Sequence, residues 1–457
     1  MRRILSIAFV CLFGAMSASA TITGYVMNSD GQAIAGAKVE SFALETIDAE
    51  RARLVSSTPE RKSLAGVDSD AKGKFTLESP KDPVVVLRVN AAGYAPASFR
   101  VERDEEAGAL ILTPAEAKTG RVVAGGKPVA GAKVIWSGGS GEAMATTDAE
   151  GRYTIPDPTK WANNVVVMHS DHAIVEDMTG VAANPRRGRA AAAATAAPSR
   201  DENVDRTMTA GTALSGTVVA EDGKTPVAGA AILVDGWPIT TSGQDGTFTI
   251  AHAPAKWALV AAKSGALIGT RARTGAASAL VVKLAKSASL SGSIRDMKTQ
   301  SPVTGAYVSL GAPMRASAGQ TWSAITDAKG NFAVTGIIPG SYQLSAGRPG
   351  YSIAPVTISL TANEKATKPM SAAQLARISG VIVDEQKRPV AAARVVTQNV
   401  SRGEGGPMNF MMMMNRAPQA AASAPDGTFN VRADGDTDIQ VEALKKGFPQ
   451  AKSAKLR

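Results

Sequence analysis

Cysteine is nearly absent from this sequence of 457 residues, and so are other residues on which catalytic sites depend. The single cysteine, Cys11, lies in an apolar N-terminal segment, so the rest of the chain can form no disulfide bond. Histidine occurs three times, as His169, His172 and His252, and aromatic residues make up 5% of the chain. Glycine, in contrast, is abundant. This composition favours short strands joined by frequent turns, with stability that comes from packing and hydrogen bonds alone.

Long apolar runs are absent beyond the N-terminus. Met1-Arg2-Arg3 is positively charged, Ile4 to Met16 is almost wholly apolar, and Ser17 to Ala20 has the small residues of a cleavage site. The pattern predicts a signal peptide over residues 1–20 that lies outside the fold; a signal anchor is the alternative, and lipidation at Cys11 is disfavoured. No later segment reaches the roughly 20 apolar residues of a membrane helix. We therefore expect an exported chain without a membrane span in its mature form, located in the periplasm, outside the cell or on its surface.

Charge of one sign is not concentrated anywhere. The net charge is +10, of which Arg2 and Arg3 contribute two, and the other lysines and arginines are scattered. Such a mild bias is compatible with weak attraction to anionic envelope polymers. Nucleic-acid binding is not indicated, because the sequence has no basic stripe and no basic patch interleaved with aromatic residues.

What the sequence does contain is one stretch repeated five times. Between Gly120 and Ile155 a leading glycine is followed by Pro-Val-x-Gly-Ala and then by Thr-Asp-x-x-Gly-x-Tyr. We expect the aspartate and second glycine to form a turn, and the aromatic residue to point inward from a strand. The leading glycines are Gly24, Gly120, Gly216, Gly292 and Gly380; the turn glycines are Gly73, Gly151, Gly246, Gly330 and Gly427; the aromatic residues are Phe75, Tyr153, Phe248, Phe332 and Phe429.

The repeats divide the chain into five modules of residues 21–116, 117–210, 211–287, 288–375 and 376–457, here called modules 1 to 5. Module 1 contains a polar segment, Glu45 to Gly66, that is either a short helix or a mobile loop. Module 2 has a flexible Ala/Arg-rich insertion or linker near residues 183–207, which lacks the apolar periodicity to pack. Module 5 has a Met-rich loop at 401–424 and ends soon after Gly447. Its last strand is therefore short or missing, either because the chain is a fragment or because its natural terminus is frayed.

This pattern resembles the carboxypeptidase regulatory-like family of transthyretin- or prealbumin-like domains. Module 4 carries nearly all of it, whereas module 5 has Ala392 in place of a glycine. The resemblance implies an all-β fold: a tandem array of about five small antiparallel β-sandwich domains of the prealbumin-like or Ig-like kind. It also implies non-catalytic accessory domains that are grouped with carbohydrate-binding-like folds and attached to peptidases, receptors and surface proteins.

Catalytic and metal sites are not indicated by the residues. A zinc carboxypeptidase site needs His-x-x-Glu and a distant histidine, but the nearest carboxylate after His172 is Glu176. The cluster His169-Ser-Asp171-His172 offers two or three ligands, although alignment with Gly93-Tyr94 makes His172 the aromatic residue that ends a strand. No Gly-x-Ser-x-Gly elbow occurs between a strand and a helix. We predict no enzyme activity, no cofactor and no metal site.

Candidate ligand-binding residues lie where the modules differ. Trp136, Trp237 and Trp322 lie at or near predicted loops and can stack on sugars. In contrast, Trp161, Trp257 and Tyr342 occupy equivalent strand starts and are expected to pack in cores. The Met-rich loop contains Met408, Met411, Met412, Met413 and Met414. Their thioethers could bind a soft ion such as Cu(I) or an irregular partner surface, or the loop could be a mobile insertion.

Three functions are open at this point. The first is an exported non-catalytic repeat protein that acts as a structural, scaffold or interaction module at the cell envelope, with an envelope or extracellular protein or polysaccharide as partner. This hypothesis predicts an elongated particle. The second is a carbohydrate-binding protein that uses the loop tryptophans. The third is an accessory region of a larger secreted enzyme or receptor. Because every recurring residue has a turn or packing role, we expect specific function where the five copies disagree.

Overall fold

The computed structural model describes residues 5–8, 21–115, 117–138, 141–156, 163–179, 204–255, 257, 259–272, 279–311, 321–399, 421–434 and 438–456. The N-terminal strand is β1 (Leu5–Ala8). Module 1 consists of β2 (Thr21–Asn28), β3 (Lys38–Ala43), α1 (Ile47–Val55), β4 (Ala65–Asp68), β5 (Lys74–Glu78), β6 (Val84–Asn90), β7 (Ala97–Glu102) and β8 (Glu106–Leu112). Module 2 consists of β9 (Ala117–Ala124), β10 (Lys127–Pro128), β11 (Lys133–Gly138), β12 (Gly141–Thr146), β13 (Arg152–Pro156), β14 (Asn163–His169), β15 (His172–Thr179) and β16 (Arg206–Met208).

The remaining three modules repeat this order. Module 3 consists of β17 (Thr212–Val219), β18 (Ala231–Val234), β19 (Trp237–Thr241), β20 (Thr247–Ala253), β21 (Leu259–Ser264), β22 (Leu267–Ala272), β23 (Leu280–Lys283) and β24 (Ala285–Lys286). Module 4 consists of β25 (Ala288–Asp296), β26 (Tyr307–Gly311), β27 (Thr321–Ile325), β28 (Asn331–Ile337), β29 (Gly340–Gly347), β30 (Tyr351–Ile353), β31 (Val356–Leu360) and β32 (Lys365–Thr367). Module 5 consists of β33 (Met370–Asp384), β34 (Arg394–Asn399), β35 (Ala421–Ala422), β36 (Thr428–Asp434), β37 (Ile439–Leu444) and β38 (Ala451–Lys452).

Each module is a sandwich of two sheets. The first sheet pairs the strand that carries the leading glycine with the strand that carries the inward aromatic residue, as β2 pairs with β5. The second sheet contains the remaining strands, in the order β4-β3-β6-β7 in module 1. A separate cluster of buried apolar side chains lies within each of the five modules. The predicted all-β tandem array of sandwiches is confirmed.

The leading glycine is required by the aromatic ring opposite it. Gly292 and Phe332 are direct partners in the pair of β25 and β28. A Cβ atom at Gly292 would lie 2.5 Å from the Phe332 ring and 2.2 Å from the carbonyl oxygen of Lys368. The ring therefore fills the space that a side chain would occupy and covers the glycine backbone. The aromatic residues of all five modules are buried, which confirms their predicted inward orientation.

A buried hydroxyl group holds the turn of every module, and the sequence analysis did not single it out. Thr326 Oγ1 accepts a hydrogen bond from the Ala306 amide at 2.8 Å and donates one to the Val303 carbonyl at 2.7 Å. Both partners belong to the Pro-Val-x-Gly-Ala segment, so the hydroxyl joins this segment to the turn. The equivalent hydroxyls, which make the same two hydrogen bonds, are those of Ser69, Thr147, Ser242 and Ser423. Each lies four residues before the turn glycine, a constant spacing that could have revealed it.

Ala392 has a backbone conformation that favours glycine. Its φ is 50°, and the equivalent glycines of the other modules, such as Gly131 at 74°, also have positive φ. We expect Ala392→Gly to stabilise module 5 by about 0.5–1 kcal/mol, because relief of the left-handed strain exceeds the entropy that glycine loses on folding. Scanning calorimetry measures this change. Gly131→Ala is the matched reverse substitution, since no atom lies within 4 Å of its added Cβ, and it should destabilise module 2. A lower melting temperature for Ala392→Gly would contradict the strain argument.

Parallel pairs in modules 1 to 4, one in each of the first three and two in module 4, depart from the antiparallel sheets that were expected. The last strands β8, β16 and β23 run parallel to β2, β9 and β17, and β32 and the start of β33 run parallel to β25. The pairing is parallel because the chain returns to the first sheet by a crossover from the second. Because β16 is Arg206–Met208, the last residues of the predicted insertion near 183–207 belong to the sheet.

Module 5 is joined to module 4 by a single long strand. Met370–Ala372 of β33 pairs with β25, and Leu375–Val381 of the same strand pairs with β36, so the predicted boundary at 375–376 lies inside a strand. The strand β38, at the C-terminal end, has only two residues. Leu5–Ala8, which we predicted to lie outside the fold, pairs as β1 with Val381–Asp384. In the uncleaved chain this edge of β33 offers unpaired backbone groups to an extended segment, and removal of residues 1–20 stays a prediction.

Candidate functional site

The segment Glu45–Gly66 distinguishes module 1 from the other four, and it contains α1. Thr46 is the N-cap, and its Oγ1 accepts a hydrogen bond from the Ala49 amide at 3.3 Å. Asp48 and Glu50 lie in the first turn and Arg53 in the last, which suits the helix dipole. Of the two alternatives for this segment, the short helix is confirmed. Within the described residues no helix is long and apolar enough to cross a membrane.

The buried residue of α1, Leu54, packs against other modules. The apolar cluster around it joins modules 1, 2 and 3 and consists of Leu54, Ile135, Val166, Met168 and Trp237. Within module 2, Ile135 and Val166 alternate with residues that point into the module's own core, so β11 and β14 are buried on both faces. The continuous apolar run from Val165 to Met168 is the sequence signal of this interface.

Charged side chains surround the apolar contact. Glu45 forms ion pairs with Arg53 at 3.0 Å and with Arg61 at 3.2 Å, and Arg53 lies 4.0 Å from Glu142 of module 2. Burial raises the pKa of Glu50, and the negative charge of Glu142 adds to this effect, while Arg53 opposes it. Burial also lowers the pKa of Arg61. The helix therefore carries one carboxyl group whose ionisation is less favourable in the folded state than in the unfolded state.

We expect Glu50→Gln to stabilise the protein near neutral pH. Since the pKa of Glu50 is raised above its ordinary value of 4.5, the folded state retains a proton that the unfolded state releases. The stability of the wild type therefore falls as the pH rises from about 4.5 through the folded pKa, and glutamine removes this loss. Urea unfolding at pH 4 and pH 7 should show a stabilisation that grows with pH. Glu60→Gln, at an exposed position of the same segment, is the control, and a difference independent of pH would refute the assignment.

A second polar interface joins module 1 to modules 4 and 5. Nη2 of Arg432 donates hydrogen bonds to Glu102 Oε2 at 2.7 Å and to Glu105 Oε1 at 2.6 Å. Arg348 of module 4 lies 3.3 Å from Glu102, and Arg377 lies 3.9 Å from Glu105. Burial lowers the pKa of Arg432, but the charge of Glu105 and the hydrogen bonds to both carboxylates outweigh burial and raise it. The side chain of Arg432 is only 11% exposed, so its buried charge is stabilised by these partners.

The contacts of module 1 reach all four other modules. Nζ of Lys133, in module 2, donates a hydrogen bond to the carbonyl of Ser56 in module 1 at 2.7 Å. Asp48 of module 1 lies 3.5 Å from Lys263 of module 3, and the Ile47 amide of module 1 donates to Ser323 Oγ of module 4 at 2.8 Å. Arg432 supplies the contact with module 5. The expected elongated particle is therefore wrong, because the modules are gathered around module 1 instead of contacting only their sequence neighbours.

A cleft with a mixed polar and apolar lining lies where α1 meets module 4. Its volume is about 810 Å³, and Thr46 at the start of α1 forms part of its wall. Apolar residues line it together with residues that carry hydroxyl, carboxylate or amide groups, which are Ser291, Ser293, Ser323, Asp327, Asn331 and Thr367. Asp327 and Asn331 are exposed, so their side chains are accessible from solvent. Groups of this kind can exchange hydrogen bonds with a hydroxylated ligand.

The three tryptophans predicted at or near loops are placed in strands and are buried. Trp136 lies in the core of module 2, Trp237 in the interface with α1, and Trp322 in the core of module 4. Trp322 Nε1 donates to the Gly336 carbonyl at 2.9 Å, and its ring meets Tyr342 edge to face at 5.4 Å. This burial favours packing over sugar stacking, because a stacking ring must present a face to the ligand. Ligand binding by these residues stays a prediction.

The residues expected to pack in cores do so where they are described. Trp257 and Tyr342 are buried, and Trp161 lies outside the described residues. The five methionines Met408, Met411, Met412, Met413 and Met414 also lie outside them. Their binding of a soft ion or a partner surface therefore stays a prediction.

Two of the three histidines face each other across a tight turn. His169 at the end of β14 and His172 at the start of β15 are direct partners, and their Nδ1 atoms are 3.0 Å apart. Burial, followed by the charge of His169, lowers the pKa of His172. In the described parts of the chain, no group of three or more His, Cys, Asp or Glu side chains is arranged to hold a metal ion.

A family match is found for one module. The carboxypeptidase regulatory-like domain matches residues 289–372, which is nearly the whole of module 4. The resemblance drawn from the repeated residues is thus confirmed at the copy that carries nearly all of them. No curated protein matches the chain.

Several solved structures align with the chain at low similarity. A streptococcal ancillary pilin is 13% identical, with 54% of this chain and 95% of that chain covered and a TM-score of 0.25. The TIE protein of Bacillus anthracis is 10% identical, with 79% and 76% covered and a TM-score of 0.18. BcpA, the major pilin subunit of Bacillus cereus, is 11% identical, with 57% and 100% covered and a TM-score of 0.18. At TM-scores this low, the alignments contribute nothing to the functional argument.

Proposed function

We propose that this protein is an exported, non-catalytic repeat protein that acts as a scaffold or interaction module at the cell envelope. The observation that carries the proposal is the gathering of four sandwiches around module 1 through buried apolar and ionic contacts. The gathering departs from the elongated particle expected of this hypothesis, but its contacts hold the outer surfaces of the modules in fixed relative positions. A compact scaffold needs such fixed surfaces as much as an elongated one does. The partner would be an envelope or extracellular protein or polysaccharide.

Export and envelope binding can be tested separately. The tagged full chain should lose residues 1–20 and leave the cytoplasm, whereas a chain that begins at Thr21 should remain there; mass spectrometry and cell fractionation measure both. Purified residues 21–457 should then co-sediment with envelopes of the source cells. Protease treatment of the envelopes abolishes sedimentation if the partner is a protein and leaves it intact if the partner is a polysaccharide. A full chain retained in the cytoplasm, or no co-sedimentation, would disprove the proposal.

Carbohydrate binding is the alternative that one observation favours. The cleft beside Thr46 exposes hydroxyl, amide and carboxylate groups suited to a sugar, and it does not depend on the buried tryptophans. If the alternative is correct, a glycan array should show binding that Ser293→Ala combined with Asn331→Ala abolishes. Absence of binding to any glycan would eliminate it. An accessory role within a larger secreted enzyme or receptor is the third hypothesis, and the coding region after Arg457 would decide it.

A further inference from the structure

The first sheet of module 5 differs from the other four in the strand that completes it. In module 1 the residues that follow the leading glycine, Tyr25–Asn28, pair with Ala109–Leu112 of the last strand β8. Ile294–Asp296 of module 4 pair in the same way with Met370–Ala372. In modules 2 and 3 the equivalent last strands are β16 and β23. A parallel strand therefore occupies this edge in four modules.

In module 5 an unrelated segment takes this position. The residues that follow Gly380 are Val381–Asp384, which correspond one for one to Tyr25–Asn28. Their partner is Leu5–Ala8, and it runs antiparallel instead of parallel. Within the described residues no other strand pairs with Val381–Asp384 on this side. A strand from outside the module thus fills the place that each other module fills with its own last strand.

The strands that occupy this position share one chemical pattern. Their alternate side chains enter the core, as Leu280 and Val282 do in module 3, while Val281 between them is 48% exposed. Met370 and Ala372 are buried in the same alternation around the exposed Ser371. Within the acceptor edge of module 5, the side chain of Ile382 lies in the core of that module. The edge therefore fits a short extended segment with apolar residues at every second position, and the sequence Leu5-Ser-Ile-Ala has this pattern.

Leu5–Ala8 belongs to the segment that has the pattern of a signal peptide. Removal of residues 1–20 would take β1 away and leave the backbone groups of Val381–Asp384 without that partner. We propose that this edge is an acceptor site for a strand of another polypeptide, an extended segment with alternating apolar residues for which Leu5–Ala8 is the stand-in. This inference rests on the proposed function, because it specifies the kind of partner that an exported interaction module would bind. Addition of a strand would bind the partner mainly by main-chain hydrogen bonds, with specificity from the two inward side chains.

The mature chain has no cysteine, so site-specific cross-linking can test the register. Ser6 pairs directly with Val383, a half-buried residue. We expect residues 21–457 with Val383→Cys to form a disulfide with an activated peptide of residues 3–10 that carries Ser6→Cys. The matched control is Arg295→Cys, the equivalent position of module 4, whose edge is already paired at Ser371. The Val383 variant should react roughly tenfold faster or more, because strand addition raises the effective concentration of the peptide thiol.

A second peptide tests whether strand pairing is responsible. Ala8→Pro within the cross-linking peptide removes the backbone donor opposite Val381 and should abolish the rate advantage. Circular dichroism of both cysteine variants confirms that each retains the fold of the unmodified chain. Equal rates for the two variants, or a proline peptide that reacts as fast as the original, would overturn the proposal. A dimer of residues 21–457 that blocks the peptide would also overturn it, since the occupant would then be a second copy of this chain. These measurements use purified protein, so their outcome is independent of the export and sedimentation tests.

Discussion

Trp237→Ala should lower the free energy of unfolding by about 3–5 kcal/mol and release α1 from modules 2 and 3. The ring is 6% exposed and packs against Leu54 of the helix and against β11 and β14 of module 2. Its Nε1 donates to Glu176 Oε2 at 3.0 Å, and the Arg51 guanidinium lies 5.2 Å from the ring centroid. Alanine would therefore remove an apolar contact, a hydrogen bond and a cation–π contact that join three modules.

Hydrogen exchange in α1 reports whether the helix still docks on modules 2 and 3, and urea unfolding reports the stability of the fold. The two measurements together distinguish loss of this interface from unfolding of one module. Leu54→Ala approaches the same contact from the helix, so the double variant should cost less than the sum of the two single variants. Additive effects, or unchanged exchange in α1 of the Trp237 variant, would show that the tryptophan does not hold this interface. Loss of glycan binding in Trp237→Ala could not be interpreted as a lost sugar contact, because the same substitution disturbs the arrangement of the modules.

Glu102→Gln combined with Glu105→Gln should cost roughly 2–3 kcal/mol and loosen module 1 from modules 4 and 5. The substitutions leave the buried charge of Arg432 without a carboxylate partner, which is the costly way to break an ion pair. The expected cost lies below the range for fully buried pairs, since Glu102 is 20% exposed and Glu105 15% exposed. Arg348 and Arg377 also lose their partners, so all three arginines of the interface are affected.

Addition of Arg432→Met to the two glutamine substitutions is the matched control. It replaces the unpaired charge by an apolar side chain and should recover much of the lost stability. Small-angle scattering should show a larger radius of gyration for the glutamine variant and a value near that of the wild type for the triple variant. A double glutamine variant with unchanged stability and unchanged size would mean that these ion pairs do not hold the modules together.

Much of each module could be predicted because its causes are local. The turn at Asp148 and Gly151 depends on neighbouring residues: Asp148 Oδ1 accepts from the Arg152 amide at 2.7 Å, and Gly151 has a φ of 72°. Five copies of the same spacing then showed that the turn is general. The structural role of Thr147 was missed, although a serine or threonine recurs at this position in every module. Its hydrogen-bond partners, the Val129 carbonyl and the Ala132 amide, lie in a different segment of the module.

The candidate site was harder to predict because it lies between modules. A tryptophan next to a turn, such as Trp237, is exposed or buried according to what covers it. Trp237 meets α1, which is far away in the sequence and contributes Leu54 to the same apolar cluster and Arg51 over the ring. The polar helix α1 has an N-cap and one inward leucine, too little to distinguish a helix from a loop in the sequence. Its contacts with modules 2, 3 and 4 supply the remaining stabilisation, and these could not be read from the segment itself.

The sequence by itself determined the number of modules, their β-sandwich fold and their inward aromatic residues, because turns and alternating burial are encoded within a few neighbouring positions. The tertiary structure alone decided which surfaces are covered. It gathered the modules around module 1, buried the three candidate tryptophans and placed Leu5–Ala8 on the edge of β33. The physical reason is that contacts between modules depend on the relative orientation of whole sheets, which no local pattern of residues specifies.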